Sequence, residues 1–455
     1  MARLAEGAAE ESIGDELNLD SPKQMQQLLY CKLGLPIRLY SKMQKGSMRE
    51  KLDYRRSGPA TDEKAINMAL ANDALEGSWK RDALRHLSEA KSCHTRRKNY
   101  WLSYPMWVHP RDDMVHGSII NCGTVTHRPT GSDPNLLQIP SRDGGRVRSM
   151  VVPKRDQHVI MSPDFNGEEL RITASLSKDP VMLDAYVGPS PKDIHNLTTA
   201  AIASAVLNRE APEIIEMKQL TLVNGLMVME YDDTVASLKS QDEREAKLFS
   251  NVRKLAKGVN FLLVYMGQAS TLSRNLSIPV ELAEQFLDAA YATYAGLAPW
   301  QDASVEFARE HGYVETSYGN RRHLGQGLFS DDNGVRSRQE RQAVNAQVQG
   351  CGADILKIVL AGIHKRRIFK ETKASLIVPP YDEIAASVPL PAAWEWWCRM
   401  KDLMSITPPG HAVPQLPELK ASALNWGTCI ELGADPTEDE FMEAMNKQLR
   451  GEEAA

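Results

Sequence analysis

Cysteine is sparse and shows no pairing pattern: Cys31, Cys93, Cys122, Cys351, Cys398 and Cys429 are scattered through 455 residues without a CxxC spacing. That excludes an obvious zinc site and fits a reducing compartment. Long apolar runs are missing too. No stretch of about 18 apolar residues occurs, so no membrane span or membrane partner is expected. The segment from Met1 to Asp20 is acidic and rich in Ala and Gly. It has no apolar h-region, which excludes a secretory signal and leaves an acidic tail. Internal repeats and low-complexity segments are absent as well.

What is present is ordinary for a globular protein, with 42% hydrophobic and 25% charged residues. The length predicts two or three domains or one large multi-part enzyme. A net charge of −5 argues on its face against nucleic acid. The distribution argues otherwise: Lys80 to Arg155 holds 14 Lys/Arg against 6 Asp/Glu, while Glu6–Asp20 and Asp435–Glu453 are acidic. Such asymmetry is the footprint of a surface that tracks phosphates, with a merely solvated basic face as the alternative.

Along the chain, a helix is predicted from a Ser21 cap, another over Thr61–Leu75, and a basic one over Trp79–Tyr100 with Leu84, Leu87 and Ala90 as its apolar stripe. Ser118–Val125 and His158–Ser162 read as short strands. Val181–Gly312 reads as mostly helical, Ala374–Val388 as two short strands around a tight turn, and the stretch after Thr437 as a charged helix. Helical and β-rich stretches alternate, so one sheet is assembled from distant pieces.

Three local patterns carry chemistry. Asp164 lies at a strand-to-helix turn in SPDFNGEELRI, where an Asp is ordinarily a cap. Tyr381-Asp382-Glu383 sits at a hairpin tip, where acids also form turns. Two aspartates on adjacent strands would repel unless a cation lay between them. Magnesium suits that role: it takes few protein carboxylates and fills its remaining positions with water and phosphates. Arg253, Lys257, Phe261 and Tyr265 recur every fourth residue and so form one slanting stripe on a helix. With Asn251 as N-cap, Arg253 falls in the first turn, where a cation works against the helix dipole, which is easier to understand if a polyanion docks there. A core stripe continuing a surface one is the alternative.

These residues resemble DNA polymerase family A, the bacterial polymerase I and phage replicative type, over nearly the whole chain after residue 17. DFNGEELR (164–171) resembles its first motif, implying Asp164 as a metal ligand and Glu169 as the steric gate against a ribose 2′-OH. RKLAKGVNFLLVY (253–265) resembles its fingers helix, implying triphosphate binding by Arg253 and Lys257 and nucleotide stacking by Phe261 and Tyr265. Tyr381-Asp382-Glu383 resembles its third motif, implying Asp382 as the second metal ligand and Glu383 in the catalytic set. RPTGSDPNLLQIPSR implies Arg128, Asn135, Gln138 and Arg142 as DNA contacts, and RQAVNAQVQG implies Arg341, Asn345 and Gln349. Asp193-Ile194-His195 resembles the element whose His touches the triphosphate, and NLDSPKQMQQLL resembles the start of the thumb.

The resemblance implies an α+β right-hand polymerase fold, an antiparallel palm sheet with helical thumb and fingers. The expected divisions are 1–17 tail, 18–117 thumb, 118–185 first part of the palm, 186–335 fingers, and 336–455 second part of the palm with a C-terminal tail. About forty residues between Ser204 and Phe249 read as an insertion with no role visible in the sequence. No exonuclease domain is expected before residue 17. The implied partners are primer-template DNA and deoxynucleoside triphosphates, with room for a separate exonuclease or processivity subunit. The implied cofactors are two Mg2+ ions, replaceable by Mn2+, and the implied location is the cytoplasm of a bacterium, encoded by host or phage. The pattern departs at Tyr381, where the family usually has His: a primer-phosphate contact there would lack positive charge. It departs again at Leu262 and Met266, where glycines flank the aromatics. The rival readings are a single-subunit RNA polymerase, against which Glu169 speaks, and a catalytically silent DNA-binding factor, against which Asp164, Asp382 and Lys257 speak.

Overall fold

The computed structural model describes residues 17–37, 58–70, 75, 77–141, 144–216, 218–223, 225–276 and 278–452. The chain divides into two compact units, Met1–Met106 with Ser277–Pro279, and Trp107–Leu276 with Val280–Ala455. The acidic tail expected at 1–17 lies outside the described residues except for Leu17.

In the first unit the Ser21 hydroxyl accepts the Gln24 N–H at 3.4 Å and starts the helix Pro22–Gln26, which widens into a π turn over Gln27–Lys32. The basic helix spans Trp79–Arg96. Leu84 and Leu87 face inward against Met25, Leu29 and Ile66, whereas Ala90 of the expected stripe is exposed. A methyl contributes little apolar area, so nothing holds that position inward. The helix expected over Thr61–Leu75 is described over Glu63–Leu70.

The second unit is built on a sheet assembled from three distant stretches of sequence. Its strands are β1 (His158–Met161), β2 (Asp164–Phe165), β3 (Ser375–Val378), β4 (Ala385–Pro389), β5 (Pro417–Ser422) and β6 (Ile430–Gly433). Their order is β3-β4-β1-β5-β6, with β2 also pairing β5, and every pairing is antiparallel. Ser387 lies opposite Ile160, Ala421 opposite Met161, and Glu418 opposite Asp164. Ala386 and Val388 pack in the core with the buried Trp396 and Trp397 of the helix Leu390–Met404, while Ala385 and Ser387, on the opposite face, are buried too, Ser387 Oγ accepting the Lys154 N–H at 2.9 Å. Replacing either tryptophan by Ala would destabilise the unit by roughly 3–5 kcal/mol.

The strand expected over Ser118–Val125 shortens to Ser118–Ile120, pairs only with Thr130–Ser132, and exposes all three residues. The segment is an edge ribbon separate from the sheet, since Asn121 and Cys122 turn the chain before a longer strand can form.

Four helices position side chains around the sheet: α1 (Glu168–Ser177), α2 (Ile194–Glu210), α3 (Glu243–Leu263) and α4 (Asn333–Lys365). The turn from β2 into α1 is made at Gly167, whose φ of 61° lies in the left-handed region. In α4, Asp332 caps the N-terminus by accepting from Gly334 N at 2.7 Å and Val335 N at 3.2 Å. Among the described helices α4 alone is long and apolar enough to span a bilayer, but 61% of the relevant window is buried inside the fold, the signature of a core helix.

The structure replaces the cap expected at Asn251. Helix α3 begins eight residues earlier, at Glu243, where the Asp242 carboxylate accepts the Arg244 N–H at 2.9 Å. Arg253 is therefore mid-helix, and the first turn carries Glu243 and Glu245, as the dipole favours. The dipole argument for an anion at Arg253 falls away; Arg253, Lys257 and Phe261 keep their four-residue spacing on α3, while Tyr265 lies past its end at Leu263.

Candidate active site

Asp164 and Asp382, more than two hundred residues apart in sequence, lie on neighbouring backbone. The Phe165 N–H donates to the Asp382 carbonyl at 2.9 Å, the Ile384 N–H donates to the Pro163 carbonyl at 2.9 Å, and Asp164 forms a bridge with Glu383. Short strands make this possible: β1 ends at Met161, two residues lead into β2, and the β3–β4 turn brings Asp382 alongside.

The charge of this pair is only partly relieved. Asp164 Oδ2 is held by Lys420 Nζ at 2.6 Å, while its buried Oδ1 has no hydrogen-bond partner among the described residues. Burial raises the Asp164 carboxyl above its ordinary value. Asp382 is exposed at its tip, yet burial of the surrounding groove pushes it up to about 6, with the charges of Asp164, Glu383 and Glu169 adding. An orphaned acceptor beside a second strained carboxylate is what a cation would relieve. No cluster of three or more His, Cys, Asp or Glu of metal-binding geometry exists among the described residues. Two carboxylates with no further protein ligand fit magnesium, which keeps water and substrate oxygens as its remaining ligands.

Glu383, grouped by sequence with the catalytic residues, is placed differently. It is 7% exposed, and its carboxylate accepts from Arg148 Nη1 and Nη2 at 3.1 and 2.9 Å, from Trp426 Nε1 at 2.9 Å, and from the Ser162 hydroxyl. Arg148 in turn stacks on Trp426 at 3.9 Å. With these acceptors engaged, Glu383 anchors the turn that presents Asp382.

Glu169, at the start of α1, receives Arg128 Nη2 at 2.6 Å and the Tyr265 hydroxyl. Gln349 donates to the Tyr265 hydroxyl at 3.4 Å, and the Arg128 guanidinium lies 5.3 Å from the centre of the Tyr381 ring. Burial and the charge of Glu169 both raise the Tyr265 hydroxyl, so it stays a neutral donor. Tyr265 itself sits two residues past the end of α3, on the turn that follows it. Its ring packs edge-on against Phe261 at 5.2 Å, and Phe261 is 61% exposed.

On α3 the cations face α2. Arg253 donates from Nη2 to Asp193 Oδ2 at 2.6 Å and from Nε to Asn196 Oδ1 at 2.7 Å. Lys257, one turn on, is exposed. His195 contacts Asn260 through Nδ1 at 2.9 Å. Burial lowers its pKa to about 4, and Lys257 and Arg253 reinforce the shift, so the ring is neutral and hydrogen-bonds without adding charge. Arg253, Lys257 and His195 thus share one corner, suited to a polyanion.

Arg341, Asn345 and Gln349 recur every fourth residue along one side of α4 and are half-buried; the Asn345 Oδ1 has no partner among the described residues. Asn135 is occupied locally, its Oδ1 accepting the Leu137 N–H at 3.1 Å, and Gln138 is exposed beside it. Arg142 lies outside the described residues.

Four participants were not singled out from the sequence. Lys420 and Arg148 pair with Asp164 and Glu383 from distant segments, and nothing local signals either pairing. Asp193 was read only as part of a motif, although an acid before a helix is a recognisable cap. Glu168 is fully inside, 5% exposed, with Oε1 unpartnered among the described residues. A Cβ on Gly352 of α4 would stand 2.6 Å from Glu168 Oε2, so that glycine is what lets the carboxyl fit. Burial first, then Asp382, pushes Glu168 up to about 8.

A model of DNA polymerase family A matches residues 1–214 and 232–428. DNA polymerase I of Pseudomonas aeruginosa is 29% identical over 385 residues, covering 84% of this chain and 35% of that protein. DNA polymerase I of Deinococcus radiodurans is 29% identical over 409 residues, covering 88% and 36%, and that of Chloroflexus aurantiacus 26% over 420 residues, covering 91% and 38%. The chain thus spans little more than a third of the length of the curated relatives it matches. Among solved structures, the POL domain of Pol1 from M. smegmatis, in complex with DNA primer-template and dNTP, superposes with a TM-score of 0.67 at 22% identity, covering 94% of this chain and 64% of that one. At that identity the likeness establishes the shared α+β polymerase fold.

Proposed function

Because this chain belongs to DNA polymerase family A, we propose that it carries out template-directed DNA synthesis, in which a primer 3′-OH attacks the α-phosphorus of a deoxynucleoside triphosphate and pyrophosphate leaves. The observation that carries this reading is the backbone pairing that sets Asp164 beside Asp382, with Phe165 N–H on the Asp382 carbonyl at 2.9 Å.

Asp164 and Asp382 are the residues that would hold divalent metal, Mg2+ or in its place Mn2+. Two such ions, when bound, lower the pKa of the attacking hydroxyl and neutralise charge on the leaving oxygens. The protein's own contributions follow from the site. Arg253 and Lys257 bind the triphosphate, with Lys257 placed to give a proton to the departing pyrophosphate. Neutral His195 adds a hydrogen bond at the same corner. Phe261 and Tyr265 offer ring faces to the incoming base and sugar. Glu169, fixed by Arg128 and Tyr265, occupies the space a 2′-OH would need. Arg341, Asn345 and Gln349 line the duplex, and Arg128, Asn135, Gln138, Arg142 and Tyr381 contact primer or template, mostly at the backbone and minor groove, because the template is read by base pairing. The cytoplasm of a bacterium is the setting in keeping with the relatives, and a separate exonuclease or processivity subunit is a compatible partner.

The test is extension of a labelled primer on a DNA template with Mg2+ and each class of nucleotide. Extension with deoxynucleotides that stops on chelation supports the reading. Preferred use of ribonucleotides would point to the RNA polymerase alternative, and no extension at all to a silent DNA-binding protein.

A further inference from the structure

The inserted segment has no role in the account so far, and the family model leaves residues 215–231 unmatched. In the structure its described residues belong to the second unit. Leu220–Val223 and Leu226–Met229 form an antiparallel hairpin, and the helix Tyr231–Leu238 follows directly. The Gln219 N–H donates to Asp233 Oδ2 at 2.8 Å and the Glu230 N–H to the Gln219 carbonyl at 3.1 Å, which closes hairpin onto helix. Two further bonds fasten the piece to the helices of the nucleotide corner. Ser204 of α2 donates to the Met227 carbonyl at 2.6 Å. Lys218 pairs with Glu245 in the first turn of α3 at 2.6 Å, with both side chains less than a fifth exposed.

The insertion then reaches the corner itself. The Tyr231 hydroxyl oxygen accepts the Asp193 backbone N–H at 3.1 Å, and the Lys192 ammonium lies 5.6 Å from the centre of the Tyr231 ring. Asp193 is the N-cap of α2: its Oδ1 accepts from His195 N at 2.7 Å and Asn196 N at 3.2 Å. Its other oxygen holds Arg253 Nη2 at 2.6 Å, and Asn196 takes Arg253 Nε at 2.7 Å. A cap residue's own N–H has no partner within its helix, so an acceptor must come from outside. Here the insertion supplies it.

We propose that Tyr231 is a positioning residue for nucleotide binding, acting through Asp193 to fix the Arg253 guanidinium that receives the triphosphate. The proposal rests on the polymerase reading above. Two edges of the Arg253 fork are fixed by Asp193 and Asn196, leaving Nη1 as the group directed to phosphate. Removing the tyrosine hydroxyl frees the Asp193 N–H to turn toward water, and the carboxylate that steers Arg253 turns with it. The consequence falls on triphosphate affinity, since the reacting carboxylates are on another part of the fold.

The experiment is Tyr231→Phe, which keeps the ring under Lys192 and deletes only the acceptor. Steady-state extension should show KM for the deoxynucleotide raised roughly threefold to tenfold, with kcat, the KM for primer-template and the thermal midpoint unchanged. Equilibrium binding of mant-dATP should weaken by the same factor. In an Asp193→Asn background, where the link to Arg253 is already weakened, Tyr231→Phe should add little. An unchanged nucleotide KM, or an effect of full size in the Asp193→Asn background, overturns the link while wild-type extension still stands. Absence of both extension and mant-dATP binding in the wild-type chain overturns the link together with the polymerase reading.

Discussion

Glu168 carries a carboxyl into a place where burial gives one of its oxygens no partner and Asp382 adds like charge. Held up to about 8 from an ordinary 4.5, it keeps its proton in the folded chain over a range where the unfolded chain has lost it. Since the unfolded state binds fewer protons there, stability falls as pH rises from about 4.5 to about 8, by on the order of 3–5 kcal/mol across the window. Glu168→Gln preserves the shape without the proton to lose. In metal-free buffer its denaturation midpoint should overtake that of the wild type progressively as pH is raised; a difference that stays flat with pH would mean Glu168 is not neutral in the fold. The adjacent Glu169 makes a separate prediction. It is fixed by Arg128 and Tyr265, so shortening it opens space on the sugar side. Glu169→Ala should raise ribonucleotide incorporation relative to deoxynucleotide by roughly tenfold or more, and unchanged selectivity in a competition assay would remove the gate role. At this scale the family-like motifs, not local spacing, picked out Asp164 and Asp382, and the backbone pairing sets them side by side. The sequence was silent on Lys420, Arg148 and the engagement of Glu383, because those depend on which distant side chains the sheet brings together.

At the scale of elements, the stripe survived on α3 as Arg253, Lys257 and Phe261 despite a mistaken helix start, while Tyr265 falls on the turn after the helix ends at Leu263. Asn251 has the right chemistry for a cap, but Asp242 precedes a first turn that already contains Glu243 and Glu245, and those acids suit the dipole better. Hydrophobic periodicity cannot see this, since the pattern runs unbroken through both candidates. Ser118–Val125 kept a strand only over Ser118–Ile120, exposed on all three residues, because no second layer covers it. The β3–β4 hairpin and the C-terminal helix after Thr437, with its Thr437–Glu440 capping box, were legible because their signals are local. The exposed ring of Phe261 at the end of α3 also makes a prediction. Phe261→Tyr places a hydroxyl where a sugar lacking its 3′-OH has lost one. Acceptance of dideoxynucleotides, read as the termination ratio in extension reactions, should rise by roughly tenfold or more, and an unchanged ratio would move Phe261 away from the sugar.

At the scale of the molecule, three distant stretches of chain converge on one sheet, and the insertion whose role the sequence did not show is fastened to both α2 and α3. Net charge is a weak guide to a nucleic-acid partner, because a phosphate-binding surface needs only local excess. That the sheet would be assembled from separated strands was readable from the alternation of helical and β-rich stretches; its order was not, since register depends on pairings hundreds of residues apart. The account depends on Asp164 and Asp382 sharing one cation-binding spot. Electron paramagnetic resonance titration of Mn2+ into the chain with primer-template and a non-hydrolysable deoxynucleotide measures that directly. Asp164→Asn and Asp382→Asn should each abolish tight Mn2+ uptake while leaving primer-template affinity within about threefold of wild type. Full Mn2+ uptake in either variant would show that the two carboxylates do not form one site.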